Sequence, residues 1–162
     1  MKDPIRTNSV DARWEMPSLR DAAVRKELVQ RLQKLTPATK PKWGKLDAAH
    51  VLSHLGDTLA MSLGDISTVS MNRKAFHHFP LKHLFLYVLP FPKSVPTSPE
   101  LLSSSPQEFE SDRQRVIEFM NRLAAVTSGS GPEHPFFGPL TNEEWNALQW
   151  KHIDHHMKQF GC

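Results

Sequence analysis

Apolar residues recur at helical spacing in four separate stretches of this chain, and no stretch shows the period-two alternation of a half-buried strand. The first stretch predicts a helix from Ser18 to Leu35, with Ser18 as N-cap, Asp21 in the first turn and Val24, Leu28, Leu32 and Leu35 as the buried stripe. The second predicts a helix from the N-cap Asp47 to Leu63, closed by Gly64, with Val51, Leu52, Leu55, Leu59 and Leu63 on its apolar face. The third starts at Ser105-Pro106-Gln107-Glu108, which places an N-cap, a proline at the first helical position and an acid in the first turn. It runs to about Val126 on Phe109, Val116, Met120 and Leu123, and its charged residues Asp112, Arg113 and Arg115 read as a solvated face. The fourth is Thr141 to Gly161. Thr141 and Glu144 have the spacing of a capping box, and Gly161 stands where a left-handed residue ends a helix.

The connections are of two kinds. Residues 1–17 read as a polar, Pro-containing arm, TPATKPKWGKL as a turn-rich link in which Trp43 can anchor over the helix ends, and TSGSGPEHPFFGPL as a loop. Within that loop, His134-Pro135-Phe136-Phe137-Gly138 is expected to fold against the start of the last helix. Residues 65–105 are different: an aromatic segment with a short helix around Leu81–Leu89, then a Pro/Ser loop. Forty residues are too many for a passive connection in a compact domain, and such insertions commonly cover a site or form an interface. The predicted fold is all-α, a four-helix bundle in one domain over residues 1–162, with a helical, Pro-rich insertion between the second and third long helices.

Composition narrows the function classes. Charged residues at 23% and hydrophobic residues at 39% fit a soluble globular protein. The net charge of +3 is spread without a run of five basic residues, so nucleic acid is not the expected partner. The apolar cluster in LKHLFLYVLPF is too short to span a bilayer, and MKDPIRTNSV lacks the apolar core of a signal peptide. A single cysteine, Cys162, excludes an internal disulfide and a thiolate metal site, and points to the reducing cytoplasm.

The candidate chemistry lies in the nine histidines. At about 100° per residue, His152 and His156 share the side of the last helix that carries Trp145, Leu148, Gln149 and Phe160, while Lys151, Asp154 and Lys158 fall on the other. Two imidazoles four residues apart stack one turn above the other and can hold one metal ion from a single helix. His54, at the flank of the second helix's apolar face, is the better third ligand, and His50, a turn earlier, is the more exposed. His155 points away from the pair as an edge or neighbouring residue, and His77, His78 and His83 read as solvated or interfacial. Asp57, one turn after His54, reads as facing solvent. His54, His152 and His156 together would make a three-histidine site with an open position, as catalytic ions require. No Gly-rich phosphate loop, nucleophile elbow or pair of inward carboxylates competes with it.

Three segments resemble the DinB/YfiT-like superfamily of metalloenzymes, and more closely a bacterial branch of it with no assigned function: WGKLDAAHVLSHLGDTLAMSLGD, VPTSPEL and HPFFGPLTNEEWNALQWKHIDHHMKQFG. The superfamily motif is one histidine on the second helix and His-x-x-x-His on the last, which falls here on His54, His152 and His156. Many members continue the last motif as His-Arg-Gly-Gln, whereas this chain has His156-Met157-Lys158-Gln159. The resemblance implies a divalent transition metal (zinc, nickel or iron), a low-molecular-weight thiol as co-substrate, a small-molecule substrate and a homodimer. It implies a thiol-dependent transferase or a related hydrolase or isomerase, with Phe136, Phe137 and the aromatic insertion as pocket wall. The alternative is a non-catalytic binding bundle that keeps the histidines as remnants.

Overall fold

A computed structural model of the protein describes residues 16–71, 74–91, 93, 105–127 and 129–162. Most of the arm at 1–17, nearly all of the Pro/Ser loop and the VPTSPEL segment therefore lie outside the described residues. The structure is mostly helical, with four long helices: α1 (Ala22–Leu32), α2 (Ala48–Leu63), α4 (Phe109–Ala125) and α5 (Asn142–Phe160). Between α2 and α4 come a 3-10 turn (Lys74–His77) and a short helix α3 (Leu81–His83) that continues into a π-helical turn (Leu84–Val88). Among the described residues, no helix is long and apolar enough to cross a membrane.

The helix ends follow local chemistry, and two starts differ from those the pattern predicts. Asp21, not Ser18, caps α1: its carboxylate accepts from Ala23 N at 2.7 Å. Glu108, not Ser105, caps α4, accepting from Glu110 N and Ser111 N. A carboxylate at the N-cap satisfies the same orphan amides as a hydroxyl and adds its charge to the positive end of the helix. α2 and α5 begin and end where the sequence places them. Asp47 accepts from His50 N at 2.9 Å, Thr141 and Glu144 form a reciprocal capping box, and Gly64 and Gly161 close the two helices with φ of 82° and 76°.

α2 is the central helix, with every residue from Val51 to Ser62 buried. It packs against α4 and α5, and α1 packs against the same two helices. Leu52, Leu55 and Leu59 are fully buried, each contributing about 1.5–3 kcal/mol. They share the core with Leu28, Leu32, Val116, Met120 and Trp145.

The stretch predicted as a loop before α5 is a two-stranded antiparallel hairpin, β1 (Ser130–His134) and β2 (Gly138–Thr141), with Glu133 opposite Pro139 and His134 opposite Gly138. Its turn is built by the His134 ring, whose Nδ1 accepts from Phe136 N at 3.0 Å and Phe137 N at 3.2 Å. Gly138 supplies the positive φ of 68° that the turn needs. As expected, this segment folds against the start of α5: the His134 ring lies 5.3 Å from Trp145, whose Nε1 donates to Pro132 O at 3.1 Å.

Candidate metal centre

α2 and α5 face each other, and the facing turns carry His54 and Thr58 on one side and His152 and His156 on the other. His54 Nε2 lies 3.2 Å from His152 Nε2, and His156 Nε2 lies 3.0 Å from the same atom. The three rings meet at steep interplanar angles of 87°, 78° and 65°, so they converge on a point instead of stacking. They are 6%, 9% and 8% exposed. The cluster can hold a metal ion: ligand atoms of all three lie within 4.8 Å of one another. Imidazole nitrogens about 2.0–2.1 Å from an ion, at angles between octahedral and tetrahedral, lie about 2.8–3.4 Å apart, and the 3.2 Å and 3.0 Å separations fall in that interval.

The surroundings fix which nitrogen of each α5 ring carries its proton. Gln159 Nε2 donates to Trp43 O at 2.6 Å, so the opposite end of that amide, Oε1, is the atom 2.8 Å from His156 Nδ1. Rotating the amide would set two oxygens against each other. Oε1 accepts only, so His156 carries its proton on Nδ1 and turns the Nε2 lone pair to the centre. Thr58 works the same way on His152. Its hydroxyl donates to Leu55 O at 3.0 Å and lies 3.4 Å from His152 Nδ1, a longer contact that favours the proton on that nitrogen. Two Nε2 lone pairs then confront each other at 3.0 Å. A proton could relieve this only by charging a buried ring, and burial opposes that. Burial, reinforced by His156 and His54, holds His152 well below the ordinary imidazole range, and burial followed by His54 lowers His156 to about 3. Neutral rings with converging lone pairs are what a metal cation takes.

The link before α2 reaches this site through glycine. Gly44 has φ of 80°, and a Cβ there would lie 2.5 Å from Gln159 Nε2, so only glycine lets Trp43 O come within reach of the Gln159 amide. On the open side, Phe91 stacks on His152 with centroids 5.2 Å apart, and it also touches His155 at 5.2 Å. His155 sits edge-on to His156 and to Trp43.

The remaining candidates scatter. His50 is exposed and bonds Asp47 at 2.8 Å, clear of the cluster. His155 stands beside the trio as an edge residue, half-buried. His78 and His83 are exposed, and His77 is half-buried with its ring against Gly138. Phe136 packs at 4.5 Å on Phe76, whereas Phe91 is the ring that covers His152. Three readings of charge are corrected. Asp57 does not face solvent: it is 1% exposed and accepts from Arg115 at 2.8 Å, which also takes Arg115 out of a solvated face. Asp112 is 2% exposed and accepts from Gln107 N. Lys151 and Asp154 are each 8% exposed, because α1 and the π turn cover their side of α5. Thr58, Gln159 and Trp43 escaped the sequence reading as parts of the site. A signal existed for two of them: Thr58 is four residues from His54, and Gln159 three from His156, so each shares a helix face with a ligand.

Residues 16–161 match the family described as protein of unknown function (DUF1569), and the chain belongs to that family. No curated protein and no solved structure matches it.

Proposed function

We propose that this protein is a metal-dependent enzyme of the DinB/YfiT-like type, in which His54, His152 and His156 hold one divalent transition ion. The observation that carries the reading is the pair of locked tautomers, Gln159 on His156 and Thr58 on His152, which turn two lone pairs toward one point. Partners of this kind orient and strengthen metal-binding histidines. A histidine on the second long helix with His-x-x-x-His on the last, in a chain of four long helices, supports the DinB-type assignment.

Three protein ligands leave a coordination position for a reactant. When bound, a divalent ion supplies Lewis acidity that lowers the pKa of a thiol or water joining it. The chain's own residues prepare that chemistry. Gln159 and Thr58 hold the rings in place, Phe91 shields the His152 face from water, and the buried surroundings keep all three imidazoles neutral. A thiol-dependent transferase acting on a small electrophile is the reaction class we favour, with a related hydrolase or isomerase reaction sharing the same centre.

A second reading, a non-catalytic metal-binding protein, is favoured by one observation: each of the three rings is less than a tenth exposed, and Phe91 covers one of them. Metal content separates these readings from a metal-free core. Protein purified without chelator should carry close to one transition ion per chain by mass spectrometry, and His152→Ala should carry none while keeping its helical circular dichroism. Wild-type protein that stays metal-free after incubation with zinc or nickel would overturn both metal readings. Turnover of thiol and electrophile by the loaded protein, absent in His152→Ala, would select the enzyme.

A further inference from the structure

An open cleft of about 320 Å³ lies between α5 and the π turn, lined by Lys151, Asp154 and His155 and not by His152 or His156. Its walls are mostly apolar, with Tyr87, Phe91 and Trp150 the large surfaces. Such a volume lies at the small end of ligand pockets. Lys151, Asp154, His155 and Lys158 supply its polar groups.

The charges there do not balance. Asp154 is held by Arg31 at 2.8 Å, which also pairs with Glu27 at 3.5 Å, and by Lys158 at 2.7 Å, so its negative charge is already engaged. Lys151 is 8% exposed, and its Nζ donates to the carbonyls of Phe85 at 2.5 Å and Leu86 at 3.1 Å. Two neutral carbonyls occupy two of the three N–H groups of an ammonium and leave its charge uncompensated. A buried charge in that condition is stabilised by an opposite charge brought to it.

We infer that this cleft binds a small amphiphilic carboxylate, its carboxylate on the third N–H of Lys151 and its aliphatic or aryl body against Tyr87, Phe91 and Trp150. Phe91 is the wall common to the two sites, since the same ring stacks on His152. The cleft does not depend on the metal centre for its binding groups: Lys151 and Trp150 project from a different face of α5.

The full chain is tested with 8-anilino-1-naphthalenesulfonate as reporter, displaced by octanoate, octanol or octylammonium. Octanoate should displace the reporter at a concentration at least tenfold below the other two. Lys151→Met should raise that concentration at least tenfold. Because Lys151 also ties down the π turn, Val88→Glu is measured beside it. Val88 lines the cleft and is 63% exposed, so the added carboxylate is tolerated by the fold and should weaken octanoate several-fold while strengthening octylammonium. His54→Ala, whose ring does not carry Phe91, should leave octanoate binding unchanged. Equal displacement by the three probes, wild-type octanoate binding in Val88→Glu or in a Lys151→Met protein with an unaltered melting curve, or loss of octanoate binding in His54→Ala would each overturn the assignment, the last by moving the carboxylate to the metal centre.

Discussion

Along α5, His152 and His156 turn toward α2 while Lys151 and Asp154 turn toward the π turn and α1, and all four are no more than a tenth exposed. The two faces handle buried polar groups by opposite means. Asp154 is satisfied from within the chain, held by Arg31 at 2.8 Å and by Lys158 one turn on. The histidines meet Gln159 and Thr58 on their outer nitrogens, and their inner nitrogens face each other within 3.0 Å for His152 and His156. One face pairs its carboxylate with cations of the chain itself. The other turns three imidazoles toward one point and could hold a metal ion.

The contrast is broken most severely by Asp154→Ala, which leaves Arg31 and Lys158 crowded without their carboxylate. Removing one partner of a buried ion pair costs about 3 kcal/mol, to be read as a lowered urea midpoint, while metal content should stay at the wild-type level. Loss of metal without loss of stability would show that the two faces are not separate.

Gln159→Leu acts on the histidine face alone. It should weaken zinc binding by about 10–100-fold in competition with a chromophoric chelator, since His156 loses the acceptor that fixes its proton. Unchanged affinity would remove Gln159 from the site.

pH sharpens the comparison. Burial depresses His152 and His156, the latter to about 3, so between the ordinary 6.5 and that value the folded protein binds fewer protons than the unfolded chain. In metal-free protein the stability they contribute is therefore full above pH 6.5 and is lost as pH falls toward 3. Protons also compete poorly for the ligands, so zinc should remain bound at pH 5.5. Half-release near pH 6.5 would mean that the rings are solvated. Thr58→Val should have the smallest effect, less than tenfold on zinc affinity in the same chelator assay, because its bond to His152 is long at 3.4 Å. A loss as large as that of Gln159→Leu would show the two supports to be equivalent.

Much of this was legible in the sequence where a local rule decides. The Thr141–Glu144 box with Gly161, and Asp47 with Gly64, fix the ends of α5 and α2, and helical spacing put His152 and His156 on one face and His54 at the flank of another, which the resemblance joined into one trio. What escaped depends on partners distant along the chain. Asp57 reads as solvent-facing until Arg115, 58 residues away, is seen to pair with it. Lys151 reads only as lying on the far side of α5 from the histidines, and what buries it is the π turn, whose backbone carbonyls have no signature in side-chain pattern. The hairpin escaped for another reason. Its strands are short and rich in Gly and Pro, and a histidine ring accepting two backbone amides, which no alternation of residues encodes, forms its turn.

Gln159 is tied to the link before α2 twice: its side chain donates to Trp43 O, and its own carbonyl accepts from Lys42 N at 2.7 Å. The peptide groups that flank residues 42 and 43, through Lys42 N–H and Trp43 C=O, are thus clamped to the helix that carries His156. The amide hydrogen of Lys42 cannot exchange with solvent until that clamp opens, and opening it frees Gln159 from the orientation that serves the ring. The exchange lifetime of one amide, outside every helix and far in sequence from the histidines, becomes a clock for how often the centre loosens, and a bound ion should slow it.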